Sequence, residues 1–251
     1  DRLYNKGNLK LRDVTFKASM FPLPFTLQRG DFHFEQDNMV FDAFRATYGK
    51  SDIGLDGKLE HVIAWVTSSG APLQGHFNLI SDRIVLDEFR SPDAPAAKPA
   101  KAASSKPSGV VVLPKDMDVQ LDAHVKQASY GGLTMQDVKG GIGLRGGKAM
   151  LTDLSFDAIG TNVQMNGSYQ GLSSKRAEFD YKVKAIDFDV KKAYKQVDLF
   201  RELAPAAGHA EGIISLEYAI AGRLNDNMEP VMSSLKGEGV MSVKKVKLKG
   251  F

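Results

Sequence analysis

The sequence predicts a mainly β protein: an elongated, curled antiparallel β-sheet of repeated meanders, groove-like, with one amphipathic helix near 190–204. Three observations carry that reading. Most of the chain alternates apolar and polar residues with period two, the mark of strands with one buried face. The glycines, 24 in 251 residues, fall mostly between those runs, where turns and bulges need them. The stretch 30–59 recurs in the same register at 140–169.

In that repeat Gly30, Phe32 and Phe34 match Gly140, Ile142 and Leu144, and Phe41, Phe44 and Ala46 match Leu151, Leu154 and Phe156. Ile53, Leu55, Gly57 and Leu59 then match Val163, Met165, Gly167 and Tyr169. Such repetition means one supersecondary unit stacked along an axis. A stacked meander offers a long apolar face and no catalytic centre.

The elements follow in order. Gly7 to Leu11 already lies in a strand pattern, followed by Leu23, Phe25 and Leu27, then Phe32 and Phe34, then Ile53, Leu55 and Leu59. Residues 1–90 therefore read as an N-terminal meander repeat. Residues 91–108, rich in Pro, Ala, Ser and Lys, have no apolar periodicity and read as a flexible linker or loop between stacked units. Residues 109–251 form the second region. There Val119, Leu121, Ala123 and Val125 alternate with Asp118, Gln120, Asp122, His124 and Lys126. Phe179, Tyr181, Val183 and Ala185 do the same, as do Ile214, Leu216, Tyr218 and Ile220. Turn residues such as Gln36-Asp37-Asn38 and Gly146-Gly147 separate the runs, and short connections force antiparallel neighbours. Val190, Ala193, Tyr194, Val197, Phe200 and Leu203 instead make one helical stripe, with Asp187 or Asp189 as cap and Pro205 and Gly208 as its end. A second, weaker helix is expected from about Asn227 to Ser234.

Composition narrows the function. With 43% hydrophobic and 25% charged residues the chain has ordinary globular values, and a net charge of +3 gives no ground for a nucleic-acid partner. The absence of Cys excludes disulfides, Cys-ligated metals and thiol catalysis. No apolar run approaches the ~20 residues of a membrane helix. Because the chain opens inside a strand pattern, it reads as a fragment whose anchor or targeting segment has been cut away.

Motifs for chemistry are weak. Gly141 to Gly146 satisfies GxGxxG, but Ile142 and Leu144 alternate inside it and a strand follows, so these read as strand glycines. His33, His61, His76, His124 and His209 show no metal-ligand spacing, and Asp116, Asp118 and Asp122 look like a solvated strand face. No metal, no cofactor and no catalytic residue is expected, and the chain is read as not an enzyme. Lys244, Lys245, Lys247 and Lys249 surround Val243, Val246 and Leu248, as on a strand edge protected against aggregation.

The order of these features resembles the C-terminal region of AsmA-like proteins. The likeness runs from Val112-Leu113-Pro114-Lys115-Asp116 through Tyr130-Gly131-Gly132-Leu133, Asp137-Val138-Lys139-Gly140 and Leu151-Thr152-Asp153-Leu154. It continues through Met165-Asn166-Gly167, Ile186-Asp187-Phe188-Asp189, Ala210-Glu211-Gly212 and Leu235 to Gly239. The resemblance implies a periplasmic protein of Gram-negative bacteria, related to TamB, anchored in the inner membrane by an N-terminal helix. It implies a curled sheet whose apolar face carries acyl chains between membranes, in outer-membrane biogenesis. Phospholipids or other acyl lipids are the expected partners, with outer-membrane assembly proteins as further ones. The expected groove residues are Val119, Leu121, Val125, Ile142, Leu144, Phe156, Val163, Met165, Phe179, Tyr181, Val183, Leu216 and Tyr218. The alternative is a structural or assembly module that binds protein partners through its sheet edges.

Overall fold

The computed structural model describes residues 6–17, 21–67, 72–89 and 109–248. Twelve strands form one curled, unclosed sheet in which every strand lies beside its neighbours in sequence. They are β1 (Lys6–Phe16), β2 (Phe25–Glu35), β3 (Asn38–Tyr48), β4 (Ser51–Glu60), β5 (Leu73–Val85) and β6 (Met117–Tyr130). Then come β7 (Leu133–Arg145), β8 (Lys148–Ala158), β9 (Thr161–Ser173), β10 (Arg176–Asp189), β11 (Ala210–Leu224) and β12 (Lys236–Leu248). The helices α1 (Val62–Thr67), α2 (Val190–Gln196) and α3 (Asp198–Leu203) lie at the strand ends.

The repeat appears as matching geometry. The β3–β4 pair shifts register between Phe41 and Phe44, and β8–β9 shifts at the corresponding place, between Leu151 and Leu154. A bulge bends its strand and increases the local twist, so both meanders curl at the same level.

Three expectations need correction. Not every neighbour is antiparallel: β5 and β6 run parallel, with Phe77 opposite Leu121. A parallel pair needs a crossover from one end of the sheet to the other, and the long connection between Phe89 and Gly109 allows it. The 91–108 segment itself lies outside the described residues. The helical stripe at 190–204 is also broken in two. Val197 adopts an extended conformation (φ −114°, ψ 102°), so α2 ends before it and α3 begins after it. Asp189 does cap α2, accepting a hydrogen bond from the Lys192 amide. Finally, only a single 3-10 turn, Met232–Ser234, forms in the expected 227–234 helix.

The main core lies inside β6–β11. Val125, Val138, Leu154, Phe156, Val163 and Ile214 pack there with Phe188, Val190 and Ala193, so α2 closes this end of the curl. A smaller aromatic cluster holds the same end of β1–β5. The Tyr48 side chain is fully buried, with its ring 4.5 Å from that of Phe89 and 4.6 Å from that of Phe25.

Candidate functional site: the inner face of the sheet

Strand register places one row of residues across the entire sheet. Leu9 pairs with Phe32, Phe32 with Phe41, Phe41 with Gly57, and Gly57 with Phe77. The row crosses the parallel pair to Leu121 and continues through Ile142, Leu151, Gly167, Tyr181 and Ile220 to Gly237. Directly paired residues point to the same side of a sheet. One uninterrupted band therefore runs from β1 to β12, built only from apolar residues, glycines and one tyrosine.

The thirteen expected groove residues all belong to this inner face. Val119 pairs with Leu144, Phe156 with Val163, Met165 with Val183, Tyr169 with Phe179, and Val183 with Tyr218. Leu216 stands opposite Ala185. Val119, Val125, Phe156, Val163 and Phe179 are buried. Leu121, Ile142, Leu144, Met165, Tyr181, Val183, Leu216 and Tyr218 are half-buried. The face is shared, but its middle is covered.

Two covers account for this. At one end, α2 and α3 bring Phe188 against Phe200, with ring centroids 5.9 Å apart. At the other end, residues 109–114 cross the mouth of the curl. The Val110 amide donates to the Ser174 carbonyl, the Tyr169 hydroxyl donates to the Val111 carbonyl, and Val110 is fully buried. Gly171 permits this crossing, because an added Cβ would lie 2.2 Å from the Val111 oxygen.

The inner face stays accessible at the two edges. On β1, Leu9, Val14 and Phe16 are exposed, and on β12, Met241 and Val243 are 55% and 60% exposed. Met241 stands opposite Leu216 and Val243 opposite Ile214, which continues the inner face outward. Sequence reasoning did not place these five residues on the face, nor Phe77, which joins Phe32, Phe41 and Phe44 of the repeat in an aromatic cluster in the first meander. The alternation of Met241 and Val243 with Ser242 would have placed those two residues on the inner face of β12.

The outer face is ionic. His76 meets Asp122 at 2.9 Å, Lys126 meets Asp82 at 2.7 Å, and Arg145 meets Asp118 at 2.9 Å. Inside, burial pushes the phenol of Tyr181 up. Gly141 and Gly143 lie within β7 and no helix follows them, so the GxGxxG stretch is strand and turn. Among the described residues no group of three or more His, Asp or Glu side chains is placed to hold a metal ion. Compared with protein-family models, with curated proteins and with solved structures, the chain matches none of them.

Proposed function

We propose that this chain is a non-catalytic lipid-conduit segment that binds acyl chains along the inner face of its sheet. The observation that carries the proposal is the continuous apolar row on an unclosed sheet, whose face is still exposed at its edges, at Leu9, Val14 and Phe16 and at Met241 and Val243. An apolar face that is covered in its middle and emerges as exposed apolar side chains at both edges fits a ligand or partner surface. Each buried methylene of an acyl chain adds about 0.8 kcal/mol, so a shallow trough suffices if it is long.

The resemblance to AsmA-like proteins extends this reading. On this reading the chain works in the periplasm, joined to the inner membrane through an N-terminal helix, and moves phospholipids between inner and outer membrane in outer-membrane biogenesis. Among the described residues no helix is long and apolar enough to cross a membrane.

Native mass spectrometry and lipid extraction of detergent-free protein test the proposal. Co-purifying phospholipid is the expected result. Protein that stays lipid-free after incubation with phospholipid vesicles sinks it.

A further inference from the structure

Val110-Val111-Val112-Leu113 are four apolar residues in succession, yet they form no strand. They lie as a strap over the ends of β9 and β10. The Gly109 amide donates to the Asp226 carbonyl at 2.6 Å and the Val110 amide to the Ser174 carbonyl at 3.1 Å. The Tyr169 hydroxyl donates to the Val111 carbonyl at 2.8 Å. Asp226 and Ser174 belong to connections between strands, so none of these bonds is part of the sheet ladder. The strap can leave and every strand pair stays intact. Val110 is nevertheless fully buried, as is Ala177, the strand partner of Gly171. Phe179, the partner of Tyr169, is buried beside them.

Gly171 marks where strap and sheet touch. Its φ is not positive, so the backbone there accepts any residue. The three atoms nearest an added Cβ all belong to the strap: the Val111 oxygen at 2.2 Å, the Val112 Cα at 3.0 Å and the Val111 carbonyl carbon at 3.1 Å. A side chain at 171 and the strap therefore exclude each other. An apolar run laid over an apolar sheet face, outside the ladder, buries hydrocarbon as an acyl chain would. Such burial has no directional requirement, so one can replace the other. We propose that residues 109–114 are a displaceable strap that competes with an acyl chain for one seat, over Tyr169, Gly171, Ala177 and Phe179. The proposal rests on the acyl-chain reading of the inner face, and adds a covered seat and the element that controls access to it. Competition is reciprocal: a lipid that fills the seat releases the strap, and release of the strap strengthens lipid binding there.

The test compares the full chain with its Gly171→Ala variant, checked for folding by circular dichroism. Without lipid, the Val110 amide should exchange about tenfold faster or more in the variant. Both proteins are then labelled with a phospholipid that carries a diazirine near the end of one acyl chain. Label on Tyr169 and Phe179 should rise about tenfold in the variant. In the unsubstituted chain, phospholipid vesicles should speed exchange at Val110. If Gly171→Ala does not fold, Tyr169→Phe removes only the hydroxyl that holds Val111, and should show the same changes at about threefold. A strap that stays protected in the folded variant would overturn the proposal. Label confined to the sheet edges and equal in the two proteins would overturn it and leave the acyl-chain reading standing. No label on either protein would overturn both.

Discussion

The ring of Tyr181 occupies the space that a side chain at Gly167 would need: an added Cβ would lie 2.5 Å from its Cδ1 and 2.1 Å from the Asp180 carbonyl oxygen. Phe77 covers Gly57 in the same way, with Cδ1 at 2.8 Å and the His76 oxygen at 2.2 Å. Both glycines have positive φ, 155° and 148°, and both sit in the row that crosses the sheet. An aromatic ring laid over a glycine lets neighbouring backbones bend closely while apolar cover is retained.

Gly167→Ala and Gly57→Ala should each cost about 2–3 kcal/mol, since the clash is with backbone and the conformation disfavours any Cβ. Gly7→Ala, with open space around it, is the control and should stay within about 0.5 kcal/mol. Urea unfolding of the three variants checks the contrast. Equal midpoints would remove the glycines from the account of the bend.

The Tyr48 hydroxyl donates to the Glu88 carbonyl at 2.9 Å and accepts from the Leu23 amide at 3.2 Å. Tyr48→Phe keeps the ring in its aromatic cluster but leaves those groups unpaired, and should cost about 1–3 kcal/mol. Thermal unfolding reads the loss directly. Faster amide exchange around 21–25 and 86–89 would localise it.

Asp189→Ala removes the α2 cap and should cost about 1 kcal/mol, whereas Phe188→Ala empties a fully packed site and should cost about 3–5 kcal/mol. Hydrogen exchange separates the two. The cap variant should loosen α2 alone, and the Phe188 variant should loosen β10 and β11 together.

Stability should fall on both sides of neutrality. Lys244 and Ser215 hold the Asp187 carboxyl below its usual range, and Lys139 does so for Asp137. A depressed carboxyl contributes stability above the ordinary carboxylate range, and that contribution is lost as pH falls through its folded-state value. Burial pushes the phenols of Tyr48 and Tyr181 up. Their contribution is whole below the ordinary tyrosine range and is lost as pH rises through it. Asp187→Asn should flatten the acid limb of a midpoint-versus-pH curve and leave the alkaline limb unchanged.

What was legible in the sequence was whatever depends on local period. Alternation at 119–125, 179–185 and 214–220 found the strands and their inward residues, and the recurrence of 30–59 at 140–169 aligned the bulges and the covered glycines. Features that depend on distant partners were not legible. The parallel β5–β6 pair is decided by where the chain returns after a long connection. Helix α1, made of Val62-Ile63-Ala64-Trp65-Val66-Thr67, starts because Asp37 of the β2–β3 turn accepts from the Ile63 amide. The break at Val197 interrupts an otherwise regular stripe. Above all, a sequence shows which residues share a face but not what lies over them, and the covers supplied by Val110 and by α2 come from outside the strands they hide.

The most direct test is photocrosslinking with a phospholipid that carries a diazirine near the end of one acyl chain, mapped by peptide mass spectrometry. Adducts should concentrate on the inner face, at Leu9, Val14 and Phe16 and at Met241 and Val243, and spare Val240 and Lys245 on the outer face of β12. Adducts confined to the outer face, or none on folded protein, would contradict an acyl-chain trough.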